Sequence, residues 1–539
     1  MEEKIFILEK LLQSRVKSPK VLAQLKRKAA QKFKVACPSN TELLRTYHKL
    51  VKKKRFQKDP LLEYLLRIRK IRSLSGIVVV SVLTKPYPCP GKCLYCPVQE
   101  GVPKSYLNSE PAVMRAILNK FHPYFQIQAR IRALNSTGHA VDKIELRIIG
   151  GTWSFYPKRY QTWFLKECLR GANEYNRKRK CRLKIKNLRE LQRENERANC
   201  RIIGITIETR PDFVNLQEVK RLRMLGITRV ELGVQSIYDD VLTFNKRGHK
   251  VKATIQATKL LKDAGFKVCY QMMPNLPGSD LKRDEKMFEE LFSNPDYQPD
   301  FLKIYPCSLL REAPLYNLWK QGKYKPYKEE ELIELLKRIK KKVPFYCRIQ
   351  RIVRDIPAQS IIVGPTKISN LRQILAQEIQ KEGWQCKCIR CREVREDYDL
   401  KERPYLFRED YEASGGKEIF LSFEQKERRK LYSLLRLRIP SQYYGKSFQN
   451  IFPVLKESAL IREIHTYGQL LPLKGEKNSF SLSSPQHKGM GKRLIKTAED
   501  IAKREFGLKK IAVISGIGVR PYWRKLGYRL KETYMVKLL

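Results

Sequence analysis

Tyr87-Pro-Cys89-Pro-Gly-Lys-Cys93-Leu-Tyr-Cys96-Pro97 is the stretch on which the reading of this chain turns. It sets three thiols on one short loop at Cys-x3-Cys-x2-Cys spacing, with proline and glycine shaping the turn. Directly before it, Gly76-Ile-Val-Val-Val-Ser-Val-Leu83 reads as a buried strand. Three ligands on a four-iron cubane leave one iron open for another molecule, whereas a structural zinc site takes four closed ligands. A zinc loop and three unrelated cysteines are the alternatives. The chain has 13 cysteines and no secretory pattern, so their spacing is read as metal chemistry rather than as a disulfide framework.

Outward from the loop, residues 76–380 alternate short apolar strands with helices. Lys143–Gly150, Ile202–Glu208, Arg229–Gln235, Phe266–Met273 and Phe301–Tyr305 read as further strands, and Val251–Ala264 as the clearest helix. Repeated strand–helix units predict parallel strands in an open or closed α/β barrel. Such barrels build sites from residues at the C-terminal strand ends. Here those are Glu208, Thr209 and Arg210, then Gln235 and Ser236, then Lys303, although strand-end polar groups also cap helices. The charge-dense stretch Arg177–Arg201 interrupts the rhythm and reads as an exposed helical insertion.

Charge points to the partner. Lys and Arg number 110 against 55 Asp and Glu, a formal net of +55 in 539 residues. Such an excess repels itself without a polyanion, and nucleic acid is the partner it implies. A generally basic proteome or a salt-rich cytoplasm is the alternative. The excess is dense in residues 1–75, which carry 21 basic and 6 acidic residues with apolar positions at helical spacing. This segment is expected to be a basic helical, RNA-contacting module, although charge runs are usually solvated faces. No apolar run reaches the roughly 18 residues of a membrane helix, and the start alternates charged and apolar residues. The expectation is a cytoplasmic protein without membrane association.

A second cysteine set, Cys386-Lys-Cys388-Ile-Arg-Cys391, lies in a linker over 381–410. Zinc in a structural role is expected, with Cys307, Cys347 or His249 as candidates for a fourth ligand. A second iron–sulfur cluster or an unmetallated loop would also fit. From 411 onward strands and helices mix. Gln486-His487-Lys488-Gly489-Met490-Gly491-Lys492 opens a helix, where glycines let backbone amides approach a pyrophosphate. Strand-like Ile461–Tyr467 precedes it and Lys510–Ser515 follows.

The three-cysteine loop, with Tyr95 before its last cysteine, resembles the radical S-adenosylmethionine (SAM) superfamily. That resemblance implies a [4Fe-4S] cluster on Cys89, Cys93 and Cys96. It also implies SAM on the open iron and a 5′-deoxyadenosyl radical on reduction. The family's Gly-Gly-Glu stretch, which meets the methionine amine, reads Gly150-Gly151-Thr152 here, so that contact weakens to backbone and hydroxyl. The C-terminal region resembles the Gcn5-related N-acetyltransferase (GNAT) fold, which implies coenzyme A cradled by residues 486–492 and Tyr522 near the thioester. Tyr522 and Trp523 as core aromatics are the alternative.

Fusion of these two domains, with Arg462–Gly468, Ile511–Gly516 and Tyr534–Leu539, resembles the family of Elongator catalytic subunits over nearly the whole chain. The compact first cysteine spacer matches its archaeal and bacterial members, which are thought to need no other Elongator subunits. The fold implied is α/β and multidomain, in four parts. A basic helical segment (1–75) precedes a radical SAM partial (β/α) barrel (76–380), a zinc linker (381–410) and a GNAT α+β domain (411–539). The activity implied is tRNA modification. The wobble uridine of the anticodon stem-loop would become 5-carboxymethyluridine, with acetyl-CoA as carbon source and an unidentified electron donor. Glu463, His465 and Tyr522 would position acetyl-CoA or water, although His465 could equally be a strand histidine satisfied by backbone. The competing class is a protein lysine acetyltransferase whose radical SAM domain is structural.

Overall fold

A computed structural model describes residues 1–14, 17–176, 186–368, 370–395, 401–445, 451–468 and 489–539. In it the basic N-terminal segment folds as α1 (Glu2–Gln13), α2 (Pro19–Phe33), α3 (Asn40–Lys52) and α4 (Pro60–Leu66). Ser18, Ser39 and Asp59 cap the last three by accepting from their first free amides. Ile7, Leu8, Leu11, Leu43, Leu44 and Tyr47 form a core separate from the rest of the chain. Lys52, Lys53, Lys54 and Arg55 stay exposed, as the charge run suggests.

Seven parallel strands follow: β1 (Val78–Leu83), β2 (Lys143–Ile149), β3 (Arg201–Thr209), β4 (Arg229–Gln235), β5 (Lys267–Met272), β6 (Phe301–Ile304) and β7 (Arg348–Ile352). Each pairs with its chain neighbour, and β1 and β7 do not pair with one another, so this is a partial barrel. Among its helices are α5 (Pro111–Leu118), α6 (Pro123–Ser136) and α7 (Lys158–Asn173). Parallel strands need such crossovers, and β1–β6 are the apolar runs that their double-sided burial demands. β7 is the strand hydropathy does not reveal: in Arg348-Ile-Gln-Arg-Ile352 the isoleucines are buried while Arg348, Gln350 and Arg351 face a cavity.

A second seven-stranded sheet holds β8 (Tyr405–Ala413), β9 (Gly416–Glu424), β10 (Leu431–Ile439), β11 (Ser458–Thr466), β12 (Lys510–Val513), β13 (Arg529–Lys531) and β14 (Tyr534–Leu538). Its order is β13-β14-β12-β11-β10-β9-β8. It starts at Tyr405, so the domain boundary read near residue 410 falls inside a strand. β11 pairs in parallel with β12 only over Ser458–Ile461, then continues along β10 to Thr466. The two strands therefore splay apart. A bulge at Arg462 shifts the β10–β11 register at this point, the usual device for re-aiming side chains.

Buried ions join the two sheets. Asp263 and Asp300 on the barrel side receive Arg438, Arg462 and Arg436 from the second sheet, and Lys262 faces Glu418 at 3.5 Å. Glycines let the backbones meet: a Cβ on Gly516 would lie 1.8 Å from the carbonyl oxygen of Ile203 on β3. The helix Leu188–Asn195 corrects the expected exposed insertion. Its Leu191 and Gln192 are buried, and Glu196 just beyond it meets Arg520 and Arg524 of the second domain. Arg189, Glu190 and Arg193 are exposed as expected, and among the described residues of the stretch Glu196 alone pairs across the interface. Residues 177–185 of the expected insertion lie outside the described residues.

Candidate active site

The cysteine loop leaves the C-terminal end of β1. Cys93 is buried, while Cys89 and Cys96 are half-buried. Gly91 lies between two of the thiols: a Cβ there would sit 3.5 Å from Cys93 Sγ, 3.7 Å from Cys89 Sγ and 2.7 Å from Arg210 Nη1. Among the described residues only the second cysteine set gathers three sulfurs within 4.8 Å of one another. The first set is spread wider, as a multi-iron cluster needs and a single ion does not. Cations line the space: Arg247 Nη1 donates to Cys93 Sγ at 3.6 Å, and Lys104 Nζ reaches the Gly91 carbonyl at 2.6 Å. Burial beside Cys93 pushes the Cys96 thiol up to about 11, so cations or a metal must draw its proton off for it to serve as a ligand. The donor set fits the cluster.

Around the loop lies a cavity of about 460 Å³ lined by Gly151, Glu208, Arg210 and Gln235. Gly150 and Gly151 take φ of 129° and 104°, and a Cβ on Gly150 would fall 2.0 Å from Thr84 Oγ1. Only glycine fits there. Gln235 holds a left-handed φ of 71°, and among the described residues its buried Oε1 has no partner. Arg210 grips Asp212 at 2.8 Å yet keeps a buried Nη1 unpartnered. Strained or orphaned polar groups at a cavity wall are what a polar ligand satisfies. Lys303 differs: it bonds the half-buried Glu208 at 3.1 Å from below the cavity wall and also meets the buried Glu231. Lys303 lines neither cavity.

A larger cavity, about 1130 Å³, runs from the barrel interior to the wedge between β11 and β12. Arg72, Arg147, Arg351, Arg354 and Asp355 line both cavities, which therefore adjoin with these side chains between them. Gly489, Met490, Gly491, Lys492, Glu463, His465 and Tyr522 all line the larger one. Gln486, His487 and Lys488 lie outside the described residues. Gly489, with φ 83°, caps the helix Met490–Arg504, whose free amides open into the cavity. Trp523 is the core aromatic of its pair, packing on Tyr528 at 5.0 Å, while Tyr522 is 38% exposed on the cavity.

The three residues expected to position acetyl-CoA or water have distinct electrostatics. Burial works to raise the Glu463 carboxyl, but Lys267 and Arg436 hold it down to about 2. Burial lowers His465 below its ordinary value, so its ring is neutral, and Nε2 lies 2.7 Å from the Ser75 carbonyl oxygen. That bond puts the proton on Nε2 and leaves Nδ1 as an acceptor. Burial raises the Tyr522 phenol. The cavity also holds arginines that residue spacing does not disclose. Arg390 is lowered to about 10 by burial and by Arg372 and Arg348 beside it.

Cys386, Cys388 and Cys391 converge at one edge of the barrel. Lys340 Nζ donates to Cys391 Sγ at 3.5 Å. Hydrogen bonds from Cys386 and Cys391, helped by Lys340 and Arg372, hold the Cys388 thiol well below its usual range. Of the three expected fourth ligands, Cys347 is nearest in the fold, its carbonyl accepting from Ile389 N at 3.0 Å. Cys307 packs with Cys93 and Tyr95, and His249 follows Gly248 beside Arg210, both at the other end of the barrel.

A parallel partial barrel with a three-cysteine loop after its first strand defines a radical SAM protein. The radical SAM superfamily pattern matches residues 86–291, and its radical SAM C-terminal domain matches 299–381. A "tRNA uridine(34) acetyltransferase" of Methanocaldococcus infernus is 44% identical over the full length of both chains. "Elongator complex protein 3" of Bos taurus is 41% identical, covering 88% of this chain and 86% of that one. The solved structure of the archaeal Methanocaldococcus infernus Elp3 with an N-terminal deletion superposes with a TM-score of 0.73 at 43% identity. It covers 87% of this chain and 100% of that one. The chain belongs to the family of tRNA uridine(34) acetyltransferases and Elongator complex protein 3. Membership brings a [4Fe-4S] cluster and SAM as cofactors. Among the described residues no helix is long and apolar enough to cross a membrane.

Proposed function

We propose that this chain is a tRNA wobble-uridine-modifying acyltransferase of the radical SAM class that forms 5-carboxymethyluridine from acetyl-CoA. The observation that carries this reading is the pair of adjoining cavities, one around the cysteine loop and one reaching the β11–β12 wedge, that share Arg72, Arg147, Arg351, Arg354 and Asp355. When bound, the cluster with SAM supplies hydrogen-atom abstraction, and acetyl-CoA supplies a two-carbon unit. In the net change one methyl C–H of the acetyl group and the C5–H of uracil break as their carbons join. SAM, the two-electron oxidant, takes one hydrogen and leaves as methionine and 5′-deoxyadenosine, the other hydrogen leaves as a proton, and water releases coenzyme A as its thiol.

The chain's own residues do the rest. Cys89, Cys93 and Cys96 hold the cluster, and Arg247 and Lys104 offset the thiolate charge. Gln235 Oε1 and Arg210 Nη1 offer unpaired polar atoms to the SAM carboxyl, amine or ribose. The second sheet reads as a GNAT domain, its splayed strands taking the pantetheine arm and the amides at Gly489–Lys492 the pyrophosphate. Neutral His465 accepts a proton from water at Nδ1, while Glu463, too weak a base at pH 7, orients it. Tyr522 donates to the thioester oxygen. Arg351, Arg354, Arg372 and Arg390 meet anticodon phosphates, and the uridine leaves its stack to enter. The converging thiols of Cys386, Cys388 and Cys391 support a structural zinc that holds β7 and Arg390 in place.

The test is mass spectrometry of tRNA nucleosides after anaerobic incubation with SAM, carbon-labelled acetyl-CoA and dithionite, beside Cys93→Ser. Labelled carboxymethyluridine from the intact protein alone is expected. Acetylated lysines on added protein, without labelled tRNA, would install the protein-acetyltransferase reading instead.

A further inference from the structure

Tyr87, two residues before Cys89, begins a line of aromatic rings that ends at the protein surface. Tyr87 stacks on Tyr156 at 4.9 Å, Tyr156 on Tyr160 at 5.1 Å, and Tyr160 meets Trp163 at 5.6 Å. His122 then bridges Trp163 at 5.4 Å and Phe125 at 4.9 Å. The inner rings belong to the fold, since Tyr156 is 5% exposed and bonded to Thr84. The outer ones do not need to be there for packing: Trp163 is 41% exposed and Phe125 51%. On α5, whose chain runs on through Phe121 and His122 into α6, Met114, Ile117 and Leu118 are also exposed. Soluble proteins seldom leave such a face without a partner.

Cations surround this face. Lys85 Nζ sits 5.2 Å over the Tyr160 ring, and Lys120, Lys158 and Arg159 are exposed around it. The carboxylates nearby are engaged, Glu167 by Arg170 and Asp212 by Arg210. An aromatic and aliphatic centre with a basic rim matches a protein whose own surface is acidic. RNA would use the cations and outer rings, but it has no use for Met114, Ile117 and Leu118, nor for buried rings running on to a cysteine loop.

The reaction needs one electron delivered to the cluster while its open side is covered by cofactor and substrate. We propose that the Phe125–Trp163 face docks an acidic one-electron donor protein, and that Trp163, Tyr160, Tyr156 and Tyr87 form the tunnelling medium to the Cys89 side of the cluster. The proposal rests on the reading of Cys89, Cys93 and Cys96 as cluster ligands. One electron leaves the donor and reduces the oxidised cluster. No proton moves, and the rings themselves are neither oxidised nor reduced.

The test uses cluster-loaded full-length protein and fully reduced flavodoxin, an acidic donor. Stopped-flow absorbance follows the flavin as it loses one electron, and calorimetry measures flavodoxin binding. Two variants are compared with the unaltered chain, Trp163→Ala and the double replacement Lys158→Glu with Arg159→Glu. Each is expected to slow flavodoxin oxidation and weaken flavodoxin binding by about ten-fold, the charge variant also losing salt dependence. Reduction by dithionite and affinity for tRNA should be unchanged. Equal slowing with dithionite would mean that the rings serve the fold. Loss of tRNA affinity with normal flavodoxin kinetics would make this an RNA surface. Unaltered protein that neither binds flavodoxin nor is reduced by it would also overturn the proposal. A chain that fails to take up iron would instead refute the cluster reading.

Discussion

Asp300→Asn removes one charge from the centre of the interface between the two sheets. The carboxylate is fully buried and accepts from Val268 N at 2.8 Å. Three cations face it: Arg462 Nη1 at 2.9 Å, Arg436 Nη1 at 3.6 Å and Lys262 Nζ at 3.7 Å. At an effective permittivity of about 20, a pair near 3.7 Å attracts by roughly 4 kcal/mol before desolvation. Asparagine keeps the shape and the Val268 bond but leaves Lys262 and Arg462 to share Glu418, and Arg436 with Glu463. Breaking one partner of a buried ionic group costs about 3–5 kcal/mol, because stranded charge remains. Urea unfolding should therefore show a loss of that size, with an unchanged denaturant slope. The double variant Asp300→Asn with Arg462→Met should recover about half of it, since the stranded charge goes too. Burial opposes ionisation of Asp300, but Arg462, Lys262 and Arg436 hold its carboxyl down to about 2. With the folded value depressed, its stabilisation is complete above the unfolded value of about 3.9 and is lost as pH falls toward 2. A single variant that costs less than about 1 kcal/mol, or a double variant that costs the sum of both singles, would refute the account of this network.

Other sites give sharper contrasts between fold and function. Gly491→Ala meets nothing closer than Ile464 at 3.6 Å, so thermal stability should be unchanged while acetyl-CoA affinity falls about ten-fold in calorimetry. Gly516→Ala places a methyl 1.8 Å from the Ile203 carbonyl oxygen, and overpacking of this kind should cost about 1–3 kcal/mol in denaturant unfolding. Cys388→Ser should abolish zinc measured by plasma mass spectrometry, and leave the iron count on Cys89, Cys93 and Cys96 intact. Neutral His465, with Nε2 donated to Ser75, predicts that thioester hydrolysis declines on acidification as Nδ1 takes up a proton.

The contrast between what residue patterns reveal and what they hide follows from how local each signal is. The cysteine loop is legible because three ligands to one cluster must lie on one turn, and spacing records that. β1–β6 are legible because apolar residues fill their buried positions, as Ile144, Leu146, Ile148 and Ile149 do in β2 even though Glu145 and Arg147 face the cavity. β7 is hidden, because Arg348, Gln350 and Arg351 face the cavity and break its hydropathy. Arg436, Arg438 and Arg462 look like surface residues in sequence, and are fully buried because Asp263 and Asp300, far away along the chain, meet them. Helix Leu188–Asn195 is misread for the same reason, since Glu196 finds Arg520 and Arg524 from the other end of the chain. The glycines at 489 and 491 suggest a phosphate cradle by pattern, but the pattern does not reveal that residues 489–492 line one cavity with Arg348, Arg351 and Arg354. Long-range ion pairing leaves no spacing signal in a chain this rich in charge.

In the proposed reaction both cofactor sites act on one acetyl group across the two adjoining cavities. It is tested most directly by supplying acetyl-CoA with three deuterons on its methyl carbon, together with SAM, tRNA and reductant, and weighing the 5′-deoxyadenosine produced. The expected product is deoxyadenosine carrying one deuterium, in amounts that match the modified uridine and fall about ten-fold in Gly491→Ala at limiting acetyl-CoA. Deoxyadenosine without deuterium, formed while the tRNA is modified, would show that the radical never meets the acetyl group and would contradict the account.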